Sequence, residues 1–375
     1  MKIVADDKIP FLKGVLEPFA DMVYLPGQAI SNRDLRDADA LLIRTRTCCN
    51  EELLKNTPVR FIGTATIGYD HIDTRYCEKK GISWHNAPGC NAGSVNQYIA
   101  STLVHLAGEY KFTLKERTLG VVGVGHVGSK VVNTAELLGM RVYLCDPPRV
   151  REEGECGFIS LDGILRECDI ITFHVPLNYE GPDRTHHLIG KELLGRVNPG
   201  TFILNTSRGK VADGNALKEA IRSGRLAGAV LDVWENEPEI DTELLDLTAF
   251  GTPHIAGYSA DGKAKGTAMI LDELSRFFDL GIDGWVPDSI PAPLIPEFQI
   301  DCRDISEEEA LSLAILGTYD VEDDDRRLKK SPAGFEKQRG EYPLRREFKA
   351  YSLDLIGGTP QLSRICSKLG FKVNR

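Results

Sequence analysis

The chain has 375 residues, of which 42% are hydrophobic and 27% are charged, and its formal net charge is -10. This length predicts two or three domains, and the negative charge argues against a protein whose main task is to bind nucleic acid. No segment approaches the ~18 apolar residues that a membrane span needs, and acidic residues interrupt the N-terminus where a signal peptide is apolar. We therefore expect a cytoplasmic protein that enters no membrane and binds no nucleic acid.

The cysteines number 9 and form no CxxC pair. In a cytoplasmic protein such cysteines are expected to be reduced thiols. The adjacent Cys48 and Cys49 are interpreted as ordinary thiols, with a redox role as the alternative. We expect no metal site.

Short apolar runs alternate with helical patterns along most of the chain, which is typical of an α/β protein with parallel sheets. The first predicted strands are KIVAD, ALLIRT and RFIGTAT. Val95, Ile99, Leu103 and Leu106 then recur at helical spacing, so the segment SVNQYIASTLVHLAGEY is predicted to form a long amphipathic helix.

A second unit begins with RTLGVVGVGHVG, which is predicted to be a strand that runs into a glycine-rich turn and a helix. A second long helix is predicted from about Lys263 to Leu280. The prolines of residues 285–298 predict a linker or extended arm, and a charge-rich segment of about eighty residues follows. The further strands predicted in this unit are RVYLCD, DIITFHVPL, TFILNTS and LAGAVLDVW.

The glycine-rich turn has the spacing G-x-G-x-x-G, formed by Gly123, Gly125 and Gly128. Asp146 closes the next strand, near the ~20-residue spacing expected of an acid that binds a ribose hydroxyl. The pattern predicts a dinucleotide site, and the alternative is a turn whose glycines serve only close packing. An acid at this position favours NAD over NADP, although Arg149 nearby keeps NADP open.

Three later segments end predicted strands in polar residues. They are NTSRG with Arg208, LDVWENEP with Asp232 and Glu237, and TPHIAG with His254. Because ligands bind at the carboxyl ends of such strands, we expect these residues to converge on one crevice. Histidine suits proton exchange, a carboxylate orients it, and arginine binds a substrate carboxylate. Singly, each has a structural alternative: a surface arginine, a solvated acid or a core histidine.

This succession of motifs, together with GTATIGYDHID and NAPGCNAGSVNQY, resembles the D-isomer-specific 2-hydroxyacid dehydrogenases over about the first 290 residues. The resemblance implies that Arg208 binds the substrate, that His254 exchanges the proton and that Glu237 pairs with His254. It also implies an NAD site with Asp232 at the nicotinamide end. The cofactor-binding positions that it implies are Gly123, Gly125, His126, Val127, Gly128, Asp146, Val175, Thr206, Ser207, Asp232 and Gly257.

The same resemblance implies two Rossmann-like doubly wound parallel-sheet domains and a C-terminal α+β dimerisation domain. The substrate domain is expected to be discontinuous, and the NAD-binding domain is expected to be inserted into it. The implied boundaries are 1–96 for the first part of the substrate domain, 97–256 for the NAD-binding domain, 257–287 for the return segment and 288–375 for the dimerisation domain.

The C-terminal segment contains GTYDVEDDDRRLKK, FEKQRGEYPLRREFKAYSL and KLGFKV. These stretches resemble the C-terminal domain of one branch of the family, which oxidises 4-phospho-D-erythronate in vitamin B6 biosynthesis and forms homodimers through this domain. The resemblance implies a phosphorylated 2-hydroxy acid as the small-molecule substrate. Its contacts map onto Thr45, Thr66 and Tyr258, with Arg44 and Arg46 as further donors. The alternative is that these are ordinary polar loop residues.

Two positions depart from the family pattern. Gln97 stands where glutamate is common, which predicts a tuning effect, and Val175 stands where a threonine often contacts NAD, so that only its backbone is expected to do so.

Two other functions remain as alternatives. One is oxidation of 3-phosphoglycerate or another D-2-hydroxy acid, and the other is an NAD(H)-sensing, corepressor-like binding protein.

Overall fold

The computed structural model describes residues 1–154 and 157–374, which form 14 strands and 14 α-helices. The strands are β1 (Lys2–Asp6), β2 (Asp21–Leu25), β3 (Ala40–Ile43), β4 (Phe61–Thr64), β5 (Ser83–His85), β6 (Thr118–Val122), β7 (Arg141–Cys145), β8 (Ile170–Phe173), β9 (Thr201–Asn205), β10 (Leu226–Leu231), β11 (Phe250–Gly251), β12 (Glu297–Asp301), β13 (Ser352–Ile356) and β14 (Lys372–Val373). The helices are α1 (Glu51–Leu54), α2 (Thr74–Lys80), α3 (Ala92–Glu109), α4 (His126–Leu137), α5 (Pro147–Glu153), α6 (Leu161–Glu167), α7 (Lys191–Leu194), α8 (Gly214–Arg222), α9 (Thr242–Leu247), α10 (Ala260–Phe278), α11 (Glu307–Leu316), α12 (Val321–Lys330), α13 (Phe335–Gly340) and α14 (Pro360–Leu369).

The chain divides into two compact units, and the first consists of residues 1–91 and 259–291. Its five-stranded sheet has the order β2-β1-β3-β4-β5, and all of its strand pairs are parallel. β3 and β4 are buried along their whole length, as expected of inner strands of a parallel sheet. Ile270 and Leu274 of α10 belong to the same buried cluster as Phe61, so α10 covers this sheet although it is distant in sequence.

The second unit consists of residues 92–258 and 292–375. Its large parallel sheet has six strands in the order β11-β10-β9-β8-β6-β7. The chain passes from β6 to β7 on one side and then returns to β8 on the other side, so the strand order reverses between β6 and β8. In sheets of this kind, ligands bind at the carboxyl ends of the strands beside such a reversal.

The C-terminal segment belongs to the same compact unit as the large sheet. It forms a small parallel sheet in the order β12-β13-β14, and Leu311 and Ile315 of α11 share a buried cluster with Leu103 and Leu106 of α3. The predicted fold class, two Rossmann-like sheets with a smaller C-terminal element, is therefore confirmed. The predicted domain boundaries remain a prediction.

Two further expectations concern the chain as a whole. None of the helices in the described residues combines the length and apolar character that a membrane crossing needs. The described cysteines are free thiols, with Cys48 exposed and Cys49 buried, whereas Cys156 lies outside the described residues.

Candidate active site

The glycine-rich turn follows β6 and leads directly into α4. Gly123 has a φ of +88°, and a Cβ there would lie 2.5 Å from the carbonyl oxygen of His174, whereas a Cβ at Gly128 would collide with the carbonyl of Gly123. Gly125 differs, because a Cβ there would meet nothing within 4 Å. Two of the glycines are thus required by the turn itself. The middle one leaves open space at the N-terminus of α4, where backbone N–H groups attract anions.

Asp146 follows β7 and is tied to the same turn. Its Oδ2 accepts a hydrogen bond from Val124 N at 2.8 Å, and its Oδ1 accepts one from Arg149 N at 3.2 Å. A carboxylate has about four acceptor sites, so capacity for ribose hydroxyls remains. Arg149 is paired with Glu153 through two hydrogen bonds of 2.7 Å. This pairing neutralises the one cation that had favoured a 2′-phosphate, and therefore supports NAD over NADP.

His174 and Val175 follow β8, on the other side of the strand reversal. Burial lowers the pKa of His174 to about 3, so the ring is neutral. Its Nε2 lies 3.0 Å from Thr172 Oγ1 and its Nδ1 lies 3.3 Å from Thr206 Oγ1. Sequence reasoning assigned Thr206 and Val175 to the cofactor but overlooked His174, although a histidine directly after a buried strand was the available signal.

His254 and Glu237 form a hydrogen-bonded pair. His254 Nδ1 lies 2.7 Å from Glu237 Oε2, and the two side chains are 36% and 20% exposed. Glu237 Oε1 also accepts a hydrogen bond from Trp234 N at 2.7 Å. Burial raises the pKa of Glu237, but the hydrogen bond and charge of His254 lower the pKa by more than burial raises it. The net pKa of Glu237 therefore lies below its ordinary value. An ionised carboxylate therefore orients the imidazole, and Nε2 lies on the opposite edge of the ring.

The backbone of His254 is left-handed, with a φ of +56°, and Asp232 maintains it. Asp232 is 1% exposed. Its Oδ1 accepts hydrogen bonds from Ile255 N and Thr252 Oγ1, both at 2.7 Å, and its Oδ2 accepts one from Ala256 N at 2.9 Å. A non-glycine residue with positive φ needs such support. Asp232 thus organises the loop that carries His254, and its predicted place beside the nicotinamide remains a prediction.

Arg345 of the C-terminal segment holds the same loop from another direction. It is buried and donates hydrogen bonds to Ala256 O at 3.4 Å, Ser94 O at 2.6 Å and Gln97 Oε1 at 2.9 Å. Gln97 in turn donates to Arg346 O at 3.0 Å. Gln97, for which the sequence predicts a tuning effect, is thus a buried residue that binds the C-terminal segment through hydrogen bonds to Arg345 and Arg346.

Arg208 follows β9, at the carboxyl edge of the same sheet. Its Nη1 donates to Ser207 O at 2.9 Å. The next residue, Gly209, approaches the carbonyl of Trp234 so closely that a Cβ would collide with it. The structure therefore brings the Arg208 loop against the backbone that leads to Glu237, as the convergence of strand ends predicts.

Tyr258 lies one turn beyond His254, and its N–H donates to Ile255 O at 2.8 Å. Its ring meets that of Tyr342 edge to face, with 5.7 Å between centroids. The guanidinium carbon of Arg339 lies 5.9 Å from the centroid of the Tyr258 ring. The predicted substrate residue of this loop therefore lies beside Tyr342 and Arg339 of the C-terminal segment.

Thr45 and Thr66 lie in the first unit, at the carboxyl edge of its sheet. Thr66 Oγ1 lies 2.7 Å from Thr64 Oγ1 and donates to Gly68 O at 3.0 Å, whereas Thr45 is exposed. Lys263, in the first turn of α10, belongs to the same unit. Burial and the charge of Arg44 lower the pKa of Lys263 to about 8. Two neighbouring cations, one of them partly desolvated, favour binding of an anion.

Comparison with known proteins gives a consistent result. Residues 96–256 match the family model of the D-isomer specific 2-hydroxyacid dehydrogenase NAD binding domain, and residues 290–370 match a domain of unknown function. An erythronate-4-phosphate dehydrogenase from Bacteroides thetaiotaomicron is 51% identical over 94% of this chain and 99% of its own. One from Porphyromonas gingivalis is 43% identical over 99% and 100%. The solved D-lactate dehydrogenase of Aquifex aeolicus, in complex with NAD and lactic acid, is 26% identical, with a TM-score of 0.62 over 75% of this chain and 96% of its own.

Proposed function

The chain belongs to the erythronate-4-phosphate dehydrogenases of the D-isomer-specific 2-hydroxyacid dehydrogenase family, and we propose that it oxidises 4-phospho-D-erythronate with NAD. The product is 3-hydroxy-2-oxo-4-phosphooxybutanoate, an intermediate in the synthesis of pyridoxal 5′-phosphate (vitamin B6). The observation that carries the proposal is the 2.7 Å pair of His254 and Glu237, set at the strand ends of a domain that matches an NAD-binding model.

The residues around the strand reversal fit a dinucleotide. Bound NAD supplies the hydride acceptor. The open space at Gly125 and the N-terminus of α4 accommodate a pyrophosphate, and Asp146 accepts hydrogen bonds from ribose hydroxyls. The neutral His174 adds no charge to its surroundings. We assign cofactor contacts also to His126, Val127, Val175, Thr206, Ser207, Asp232 and Gly257.

The chemistry of the substrate end follows from three side chains. Arg208 binds the carboxylate and the developing carbonyl, because its planar donors match both oxygens. His254 Nε2 removes the proton from the C2 hydroxyl as the C2 hydrogen leaves with its electron pair. Glu237 stabilises the imidazolium that forms, and its hydrogen bond to Nδ1 keeps Nε2 available for the substrate.

Three further assignments complete the proposal. Thr45, Thr66 and Tyr258 contact the substrate, and the enzyme acts in the cytoplasm. We further propose a homodimer formed through residues 288–375. Large apolar side chains exposed in this segment support the dimer, with Leu294 97% exposed; the others are Ile295, Leu313 and Leu344. Light scattering of the purified protein measures the oligomeric state.

Exchanging two glycines for alanine should separate cofactor binding from folding. We expect Gly125→Ala to leave the melting temperature unchanged and to weaken NADH binding about tenfold, because its methyl group enters open space beside the helix N-terminus. Gly128→Ala should instead lower stability by about 1–3 kcal/mol, because its methyl group collides with the Gly123 carbonyl. Thermal unfolding and NADH fluorescence titration measure the two effects. Unchanged NADH affinity in Gly125→Ala would argue against a pyrophosphate at this turn.

Substrate affinity should depend on the protonation of Lys263. Because the pKa of Lys263 is lowered to about 8, the side chain is charged below this pH and neutral above it. We therefore expect KM for the anionic substrate to rise about tenfold between about pH 7 and about pH 9. In Lys263→Gln, KM should be high and flat over this range, whereas the exposed Lys265→Gln should behave like the wild type. If KM still rises with pH in Lys263→Gln, the pH dependence belongs to another group.

The proposed function is tested by mixing concentrated protein and NAD with 4-phospho-D-erythronate or with 3-phospho-D-glycerate, and recording NADH fluorescence. A concentrated sample reveals even a single turnover with slow product release. We expect a signal with the erythronate compound alone. A signal with the glycerate compound alone would indicate a phosphoglycerate enzyme, and NADH binding without turnover on either would favour a dinucleotide-sensing protein.

A further inference from the structure

We propose that Arg339, in α13 of the C-terminal segment, binds the phosphate group of the substrate and so determines specificity for a phosphorylated 2-hydroxy acid. The inference rests on the proposed function and extends it to a region that matches a domain of unknown function. It gives this region a part in substrate recognition.

The first observation is a buried donor of Arg339. The side chain is 16% exposed, and its Nη1 binds Glu336 Oε1 at 2.5 Å. Its Nε is buried and, among the described residues, has no hydrogen-bond partner. Buried N–H groups of charged side chains are nearly always satisfied, because an unsatisfied one is costly. An acceptor from a ligand would satisfy this one.

The second observation is the position of Arg339 beside the residues already assigned to the reaction. Its guanidinium carbon lies 5.9 Å from the ring centroid of Tyr258, the proposed substrate contact of the His254 loop. Burial lowers the pKa of Arg339, but electrostatic interactions with Tyr258, Glu336 and Glu237 and the hydrogen bond to Glu336 raise it more, so its net pKa lies above the ordinary value. Arg339 is therefore a permanent cation within electrostatic reach of the catalytic carboxylate.

The chemistry of the substrate identifies which group Arg339 binds. Arg208 is assigned to the carboxylate at C1 and His254 to the hydroxyl at C2, so the phosphate at C4 extends away from the carboxylate. A guanidinium presents donors in the planar arrangement that phosphate oxygens accept. Glu336 is partly exposed, so solvent screens its negative charge. The buried Nε of Arg339 is screened less, so its attraction for a phosphate oxygen is stronger.

Two other arginines of the C-terminal segment have their guanidinium groups engaged elsewhere. Arg345 donates to Ala256 O, Ser94 O and Gln97 Oε1. Arg327 is paired with the buried carboxylate of Asp324. Both therefore serve the packing of the C-terminal segment, and Arg339 is the one with a buried N–H left for a ligand.

The test compares Arg339→Met with wild type on 4-phospho-D-erythronate and on D-erythronate, which lacks the phosphate. We expect kcat/KM for the phosphorylated acid to fall about 10- to 100-fold, mainly through KM, and kcat/KM for D-erythronate to stay unchanged. Arg339→Lys should recover part of the loss, because it keeps the charge. The matched control is Arg326→Met, an exposed arginine paired with Asp323 on α12, and it should leave both substrates unaffected.

Calorimetric titration with 4-phospho-D-erythronate in the presence of NADH provides a readout that does not need turnover. Weaker binding to Arg339→Met than to wild type supports the assignment, and equal binding overturns it. Equal losses on both substrates, with a shifted pH profile, would also overturn it, because Arg339 would then act through Glu237. If wild type oxidises neither acid, the proposed function fails, and the titration still decides the role of Arg339.

Discussion

Replacing His254 with glutamine is expected to lower kcat for oxidation of the 2-hydroxy acid by about 10²- to 10⁴-fold, the usual contribution of a general base. Glutamine has a similar reach and can donate a hydrogen bond to Glu237, but it cannot accept the hydroxyl proton. NADH affinity should stay at the wild-type value, because the glycine turn and Asp146 are untouched. Steady-state kinetics and NADH fluorescence titration measure the two quantities.

The left-handed backbone of His254 calls for a second variant. A β-carbon at a φ of +56° is strained for most residues, and asparagine tolerates it better than glutamine. His254→Asn should therefore fold at least as well as His254→Gln and be equally inactive. The matched control is His187→Gln, because His187 Nε2 also lies 2.8 Å from a glutamate, Glu235, in the same unit. Normal turnover in both His254 variants would exclude this residue from the mechanism.

Features that depend on short stretches of chain could be predicted from the sequence. The helical spacing of Val95, Ile99 and Leu103 predicted α3, and the structure places it at Ala92–Glu109. The second long helix was expected from about Lys263, whereas α10 begins at Ala260. The reason is a cap, since the side chain of Ser259 accepts a hydrogen bond from Gly262 N. The glycine turn was equally accessible, because its spacing and its flanking elements are local.

The support of the catalytic loop could not be predicted, because it joins residues that are far apart in sequence. Arg345 and its acceptor Ser94 are separated by 251 positions, and nothing in a charge-rich segment distinguishes one arginine from its neighbours. The helix α12 could not be predicted from the sequence for a related reason. Its buried residues are Val321, Leu328 and two aspartates, Asp324 and Asp325, so an apolar stripe is absent from the sequence.

Asp325 shows why a buried acid is useful at such a place. Its Oδ1 accepts a hydrogen bond from Gly251 N at 2.7 Å and lies 3.0 Å from Lys329 Nζ. It thereby joins α12 to β11, the strand that precedes the His254 loop. Charged residues of the C-terminal segment thus hold the backbone of the large sheet, and composition alone would assign them to solvent.

The second large effect is expected at Asp232. Asp232→Ala should lower the free energy of unfolding by about 3 kcal/mol, because it leaves the buried donors of Ile255, Ala256 and Thr252 without their acceptor. Burial raises the pKa of Asp232, and the hydrogen bonds from Thr252, Ile255 and Ala256 offset part of this rise because they stabilise the ionised carboxylate. Asp232→Asn should have an intermediate free energy of unfolding. Its amide oxygen can still accept a hydrogen bond, but its amide nitrogen faces at least one of these donors. Denaturant unfolding of both variants measures the differences.

Two controls separate the organisation of the loop from contact with the cofactor. Asp246→Ala removes an exposed aspartate of the same unit and should change stability by less than about 0.5 kcal/mol. Thr252→Val removes one donor to Asp232 and also the partner of the buried Tyr98 hydroxyl, so it should cost about 2 kcal/mol while both backbone contacts to Asp232 stay in place. If Asp232 mainly organises the loop, Asp232→Ala loses stability and kcat together, because His254 departs from its left-handed position. Unchanged stability with a large loss of NADH affinity would instead show that Asp232 acts mainly through its proposed contact with the cofactor, as the family resemblance implies.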